Sequence, residues 1–446
     1  IKQFLQNKIH RQLMPNFFTH PDFRKYFANT SWLLGERILR MAISLFVGIY
    51  VARYLGPERF GILSYANSFV GLFTAIATLG LDGIVVRELV KLPRQRDKLL
   101  GTSFLLKVAG ALVMWLMILI ATFFTKNDLL TNTLIAIIAF GVIFQAFNVI
   151  DFNFQAEVKS KYVVRSQFVQ LVFSSFIKLV LIFNKLPLIW FAAVYSLDAL
   201  FLAVGLVFSY INNHGSIKIW KWDAKIAKGL LLDSWPLMFA YMSYLIYAKI
   251  DRIMIKEMLD EYSVGIYSAA YVLYEAPLFI ALMVAKSVYP ILVQYYQKNK
   301  DRLFELYLEL SSYMTLLSYL IVLFIYIFHE SLIQITFGNN FGEASKILVL
   351  LSFGLIPMFN AFLRSSYMTI SESQKIILYT TLFSSIINIL LNFIMIKKYG
   401  IEGAVYATVL TQILSLSLLN IAFEKTRVLF FIQTKSLLLM GIWSKK

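Results

Sequence analysis

Tyr54-Leu55-Gly56-Pro57-Glu58-Arg59-Phe60-Gly61-Ile62-Leu63-Ser64-Tyr65-Ala66 is a turn leading into a long apolar run, and it returns later in the chain. Leu55, Gly61, Ile62, Ser64 and Ala66 fall on Leu259, Gly265, Ile266, Ser268 and Ala270, each 204 residues further on. Ser31-Trp32 matches Ser234-Trp235 in the same way, and Phe140-Gly141 matches Phe353-Gly354 at an offset of 213. Phe173-Ser174-Ser175 falls on Phe383-Ser384-Ser385 at 210, and Ala193-Val194-Tyr195 on Ala404-Val405-Tyr406 at 211. Any one pair is weak in apolar sequence, but the shared order and small drift are the signature of an internal duplication.

The composition says where the two halves reside. Of 446 residues 59% are hydrophobic and only 15% charged, whereas a soluble domain carries about 25% charged residues. Runs long enough to cross a bilayer occupy 30–52, 60–86, 101–124, 129–150, 163–183 and 187–210, then 230–255, 262–290, 308–328, 344–368, 376–396 and 401–423. The expected fold is therefore an all-α integral membrane protein with about twelve transmembrane helices in two six-helix lobes. Residues 1–29 form an N-terminal arm, 30–211 the first lobe, 212–229 a polar, basic linker, 230–423 the second lobe and 424–446 a tail. The stretch Val428 to Trp443, broken by Gln433 and Lys435, reads as a surface-lying helix. Each lobe has an even number of spans, so both share one orientation and are related by an axis along the membrane normal.

Charge distribution fixes the orientation. Of the 42 Lys and Arg, 26 fall in the arm, the even-numbered connections and the tail, eight in the odd connections and eight within spans. By the positive-inside rule the arm, the 212–229 linker and the tail face the cytoplasm. The net charge of +17 is then largely an orientation signal; it attracts anionic lipid and is no sign of nucleic-acid binding. No cleavable signal is expected in residues 1–29, since no small-residue cleavage site follows an apolar core.

Several chemistries are excluded. Cysteine is absent, the four histidines (His10, His20, His214, His329) lie outside the apolar runs, and there is neither a GxxxxGK[ST] nor a GxGxxG motif. Thiolate chemistry, a buried histidine relay or metal site and nucleotide hydrolysis have no candidate residues, and no cofactor is expected.

Ionisable groups within the spans invite explanation, because each costs about 2.5–3.5 kcal/mol at the bilayer centre on insertion scales. Glu36 and Arg40 are four residues apart on one face of span 1, with Arg37 adjacent. They form either a self-neutralising pair or, since one Glu cannot neutralise two Arg, a net cation. In span 2, Ser64, Asn67, Gly71, Thr74, Thr78 and Asp82 form a small, polar stripe suited to helix packing. The 204-residue offset maps Gly71 onto Glu275 and Asp82 onto Lys286, however, so the equivalent face of span 8 carries charge and points to a cavity. Lys249, Asp251 and Arg252 lie toward the outer end of span 7, free to snorkel or to pair with one another; Lys178, Asp198 and Arg364 are further candidates. Arg364 suits snorkelling at the inner surface and Lys107 an interface anchor. The basic excess favours a phosphate-bearing ligand, and the isolated acids suit a proton or Na⁺.

The turn at Tyr54 to Ala66, with Asp251-Arg252 followed by Gly265-Ile266-Tyr267-Ser268-Ala269-Ala270, resembles the signature of polysaccharide-biosynthesis (Wzx-type O-antigen) flippases. These belong to the multidrug/oligosaccharidyl-lipid/polysaccharide exporter superfamily. The resemblance implies a MATE-like transporter of a bacterial or archaeal inner membrane that turns undecaprenyl-pyrophosphate-linked oligosaccharide from the cytoplasmic to the outer leaflet. It places pyrophosphate on cavity cations, carried here by span and face to Arg37, Arg40 and Lys286. Glu36, Glu275 and Asp198 become candidate ion-coupling groups, and Asp82, Asp251, Arg252 and Arg364 candidate gate or cavity residues. Implied partners are the lipid-linked glycan, membrane lipid, H⁺ or Na⁺, and other polysaccharide-assembly membrane proteins. The competing readings are a lipid II-type flippase, a cation-coupled MATE-like small-molecule exporter and, more remotely, a membrane polysaccharide polymerase or glycosyltransferase. The longest outer connection, about His329 to Glu343, is too short for the large outer loop such an enzyme needs.

Overall fold

The computed structural model describes residues 21–443, with the side chains of 39–443 apart from Gln374. Two compact units are present, Ile1–Gly48 and Ile49–Lys446. Every regular element among the described residues is helical. In chain order these are α1 (Pro21–Thr78), α2 (Asp82–Lys91), α3 (Arg96–Thr122), α4 (Leu129–Gly141), α5 (Val149–Ala156), α6 (Lys161–Phe183) and α7 (Leu188–His214). The second half comprises α8 (Ala224–Met258), α9 (Glu261–Glu275), α10 (Leu278–Lys298), α11 (Lys300–Thr336), α12 (Ala344–Ser352), α13 (Leu355–Ile370), α14 (Gln374–Tyr399) and α15 (Ile401–Leu416). The tail forms α16 (Glu424–Leu437) and α17 (Met440–Trp443).

Nine helical stretches among the described residues are long and apolar enough to span a membrane, and the pair α12–α13, bent by 46°, makes a tenth. Leu39–Lys91, one of the nine, holds the second expected run and most of the first, because α1 is broken at Gly56 (φ 71°, ψ 171°), a conformation that costs glycine little. The remaining run is α8, 35 residues long, with Lys249, Asp251, Arg252 and Lys256 in its C-terminal half. Each of the twelve expected runs thus has a helical counterpart.

Local chemistry starts several of these helices. Asp128, Asp223, Asp260 and Asn299 each accept a backbone N–H at the start of α4, α8, α9 and α11, supplying the orphan donors of the first turn with a partner. Span 4 breaks after Gly141 and span 10 after Ser352, within two residues of the duplicated Phe-Gly pair. The duplication therefore extends to helix interruptions. In the first half α2, α3, α5 and α7 meet around Leu81, Val85, Leu100, Phe154 and Tyr210. In the second, α14 packs on both α15 and α8.

The tail is more deeply seated than a surface helix. α16 runs along α11, with Ser436 Oγ 3.2 Å from Thr315 Oγ1 and Tyr319 donating to the Leu437 carbonyl at 3.0 Å. After a turn at Leu439 (φ 56°), the Gly441 N–H donates to Ser312 Oγ at 3.0 Å. Small and hydroxylated residues at matching turns allow this close packing, a tertiary pairing that the charges of the tail conceal.

Candidate functional site

The two halves meet through the duplicated turn. A Cβ placed on Gly61 would lie 1.8 Å from the Glu261 carbonyl oxygen, and one on Gly265 would lie 1.9 Å from that of Pro57. Residues 57 and 261 are themselves 204 apart, as are 61 and 265, so this is one contact made twice about the axis relating the repeats. Only glycine fits at either place. One turn further along the helix from Gly61, Tyr65 donates to Glu257 Oε1 at 2.9 Å. Lys256, 8% exposed, donates to Asn127 Oδ1 at 2.7 Å and stands 5.1 Å from the Tyr65 ring centroid. Further along, the methylenes of Lys249 lie 3.6–3.8 Å from a Cβ placed on Gly71. The small stripe of span 2 is thus the seat of span 7.

The sequence candidates separate into distinct environments. The side chains of Glu36 and Arg37 lie outside the described residues. Arg40, in the 1–48 unit, is partly buried and engaged with its surroundings. Lys286 is exposed and borders a cleft of about 190 Å³ between α10 and α13, with Tyr289, Ser365, Ser366 and Thr369 beside it. Glu275 is exposed and makes no hydrogen bond or ion pair among the described residues. Asp82 accepts from Lys107 at 3.3 Å, and Lys107, 3% exposed, also stands 4.8 Å over the Phe152 ring. Lys107 is therefore a buried tie between α3 and α2 rather than an interface anchor. Asp198 pairs with Lys178 at 3.4 Å, leaving its buried Oδ1 without a partner in the described structure.

Three of the gate or cavity candidates are buried within the second lobe. Arg364, 6% exposed, does not snorkel: its Nε donates to Asn420 Oδ1 at 2.7 Å and its Nη2 to Thr380 at 3.4 Å. Asp251 and Arg252 neither snorkel nor pair, because adjacent positions on a helix point in different directions. Arg252 donates to Ser268 at 3.2 Å and lies 4.5 Å from the Tyr271 ring centroid. Asp251 accepts hydrogen bonds of 2.7 Å from Tyr267, Thr408 and Asn392.

The Asp251 cluster contains the residues that the sequence reading missed. Asn388 and Asn392 are both fully buried; both side-chain polar atoms of Asn388 and Oδ1 of Asn392 lack partners among the described residues. Uncompensated buried amides are costly, and a carboxylate with amide and hydroxyl oxygens is a donor set for a hard monovalent cation. Two Asn four residues apart in an apolar run, hence on one face, were the available signal.

Residues 26–296, more than half of the chain, match the family described as polysaccharide biosynthesis protein. The chain belongs to that polysaccharide biosynthesis protein family. Residues 236–394 also match the MatE family, so this polysaccharide biosynthesis protein shares its second lobe's pattern with MATE transporters. A capsular polysaccharide biosynthesis protein, CapF of Staphylococcus aureus, is 26% identical over 255 residues, covering 53% of this chain and 63% of that protein. A probable low-salt glycan biosynthesis flippase, Agl15 of Haloferax volcanii, is 27% identical over 172 residues, 37% of this chain and 35% of that protein. The chain thus spans less than two thirds of the length of either relative. Among solved structures, an inward-facing MATE family multidrug resistance transporter of the MOP superfamily superposes with a TM-score of 0.72 at 15% identity, covering 89% of this chain and 96% of that one. The lipid II flippase MurJ in an inward closed conformation gives 0.66 at 16% identity, with 92% of each chain covered. This polysaccharide biosynthesis family member is a multi-pass membrane protein with the all-α fold of these transporters.

Proposed function

We propose that the protein is a flippase that carries undecaprenyl-pyrophosphate-linked oligosaccharide from the cytoplasmic to the outer leaflet of a prokaryotic inner membrane, with both termini cytoplasmic. The observation that supports this most is Lys286, an exposed lysine in an apolar helix beside a hydroxyl-lined cleft, pairing with no carboxylate among the described residues. A diphosphate crossing hydrocarbon must exchange water for fixed donors, and a cation backed by Ser365, Ser366 and Thr369 offers them. By sequence, Arg37 and Arg40 are the other cations available to the diphosphate in this reading, while the lipid tail stays in the bilayer.

The cycle is alternating access between lobes. The N-terminal ends of spans 2 and 8, which this orientation assigns to the outer side, touch through Gly61 and Gly265, and opening outward requires that double contact to separate. The Asp251 cluster, with Asn388, Asn392 and Thr408, is where a coupling Na⁺ or proton would bind; Glu36, Glu275 and Asp198 are the other acids available for that role. The protein moves its substrate without altering it covalently. Deleting the gene tests the reading: lipid-linked oligosaccharide should accumulate on the inner leaflet and return to normal export on complementation. Unchanged export would overturn it.

A further inference from the structure

One aromatic pair stands apart from the packing of the second lobe. Tyr241 and Tyr244 on α8 are 40% and 53% exposed, enough for a ligand to reach both rings, which lie 6.3 Å apart and only 17° from parallel. Their direction can be read from neighbours on the same helix. Arg252 follows Tyr241 by eleven residues, about three turns, so the two share a face, and Arg252 reaches Ser268 on α9. Asp251 likewise follows Tyr244 by seven residues, about two turns, and accepts from Tyr267 on α9. The pair therefore opens toward α9. Lys286 lies on the next helix, eleven residues beyond Glu275.

Flat, accessible rings suit one class of ligand. A pyranose has an apolar face of C–H groups that lies well on an aromatic ring. We propose that Tyr241 and Tyr244 form the platform that receives the glycan of the lipid-linked substrate while Lys286 holds its diphosphate. The inference rests on the transport reading above and adds where the sugar is contacted.

The test separates the two. Full-length protein in detergent is titrated with undecaprenyl pyrophosphate and with undecaprenyl-pyrophosphoryl-N-acetylglucosamine, and binding is followed by native mass spectrometry. The wild type should bind both, the glycosylated probe about tenfold more tightly, equivalent to ~1.4 kcal/mol. Tyr241→Leu and Tyr244→Leu should remove that increment while binding undecaprenyl pyrophosphate as the wild type does, which also reports a folded protein. Tyr244→Phe, which keeps the ring, should retain it. Failure of the wild type to bind either probe would sink the transport reading and the platform with it. Equal wild-type affinity for both probes, or an increment that survives both Leu substitutions, would overturn the platform alone.

Discussion

Substituting Gly61 by alanine tests the lock between the lobes. The added Cβ would sit 1.8 Å from the Glu261 carbonyl oxygen and 2.9 Å from the Gly265 nitrogen. Both obstacles are backbone, so no side chain can swing aside; the helices must separate by about 1 Å or more to reach a normal contact. Overpacking of this kind costs about 1–3 kcal/mol, and it falls only on the form in which the turn is closed. At 1.4 kcal/mol per factor of ten, the closed form should lose about five- to 150-fold in population relative to the open one. Because the chain has no cysteine, a single reporter is clean. Ala269→Cys replaces a fully buried residue one turn inward of Gly265, on the same face. In right-side-out vesicles a membrane-impermeant maleimide should label it slowly in the parent and several-fold or more faster with Gly61→Ala or Gly265→Ala. Gly229→Ala, where a Cβ meets nothing within 4 Å, should leave the rate unchanged. Equal labelling in all four proteins would refute the account of the lock.

Other expectations follow from individual contacts. If the Asp251 cluster takes a hard cation, replacing choline chloride by NaCl should raise the melting temperature of the wild type and leave Asp251→Asn unmoved; the same Na⁺ response in both would remove the cluster from consideration. Arg364→Ala deletes the charged donor to Asn420 and Thr380 and should cost about 1.5–3 kcal/mol. Lys346→Ala, which breaks only an exposed pair with Glu402, should cost about 0–1 kcal/mol; thermal unfolding in detergent compares the two, and equal losses would contradict the buried network. Asp223, at the start of α8, is held below the usual carboxylate range by the Ile226 N–H and by Lys98. Its contribution is therefore complete above the unfolded value of about 3.9 and is lost as pH falls through the lowered one. The melting-temperature gap between wild type and Asp223→Asn should be full at pH 5 and shrink below pH 4, and a constant gap would contradict the assignment.

The membrane fold was legible because it rests on length and hydrophobicity, and the duplication because its small residues are forced by backbone contact at Gly61 and Gly265. Interior polar partners were not. Arg364 and Lys107 resemble boundary residues when viewed along one helix; their partners, Asn420 and Asp82, lie 56 and 25 positions away, and only tertiary packing brings them together. Asp251 was visible as a charge, but its role depends on α9, α14 and α15 converging on it. The tail misled because its lysines suggest an interface while Ser436 and Gly441 are the residues that seat it. Tyr241 was hidden among abundant aromatics, distinguished only by exposure and by the ring beside it.

Transport of a diphosphate-linked glycan between leaflets by fixed cations is the step we propose. It is tested most directly in proteoliposomes holding undecaprenyl-pyrophosphoryl-oligosaccharide extracted from cells lacking the gene, with outward-leaflet glycan measured by a lectin that cannot cross the bilayer. Wild-type protein should expose the glycan over time, and Lys286→Gln combined with Arg37→Gln and Arg40→Gln should reduce the rate at least tenfold. Exposure at the wild-type rate by the triple variant would contradict the claim.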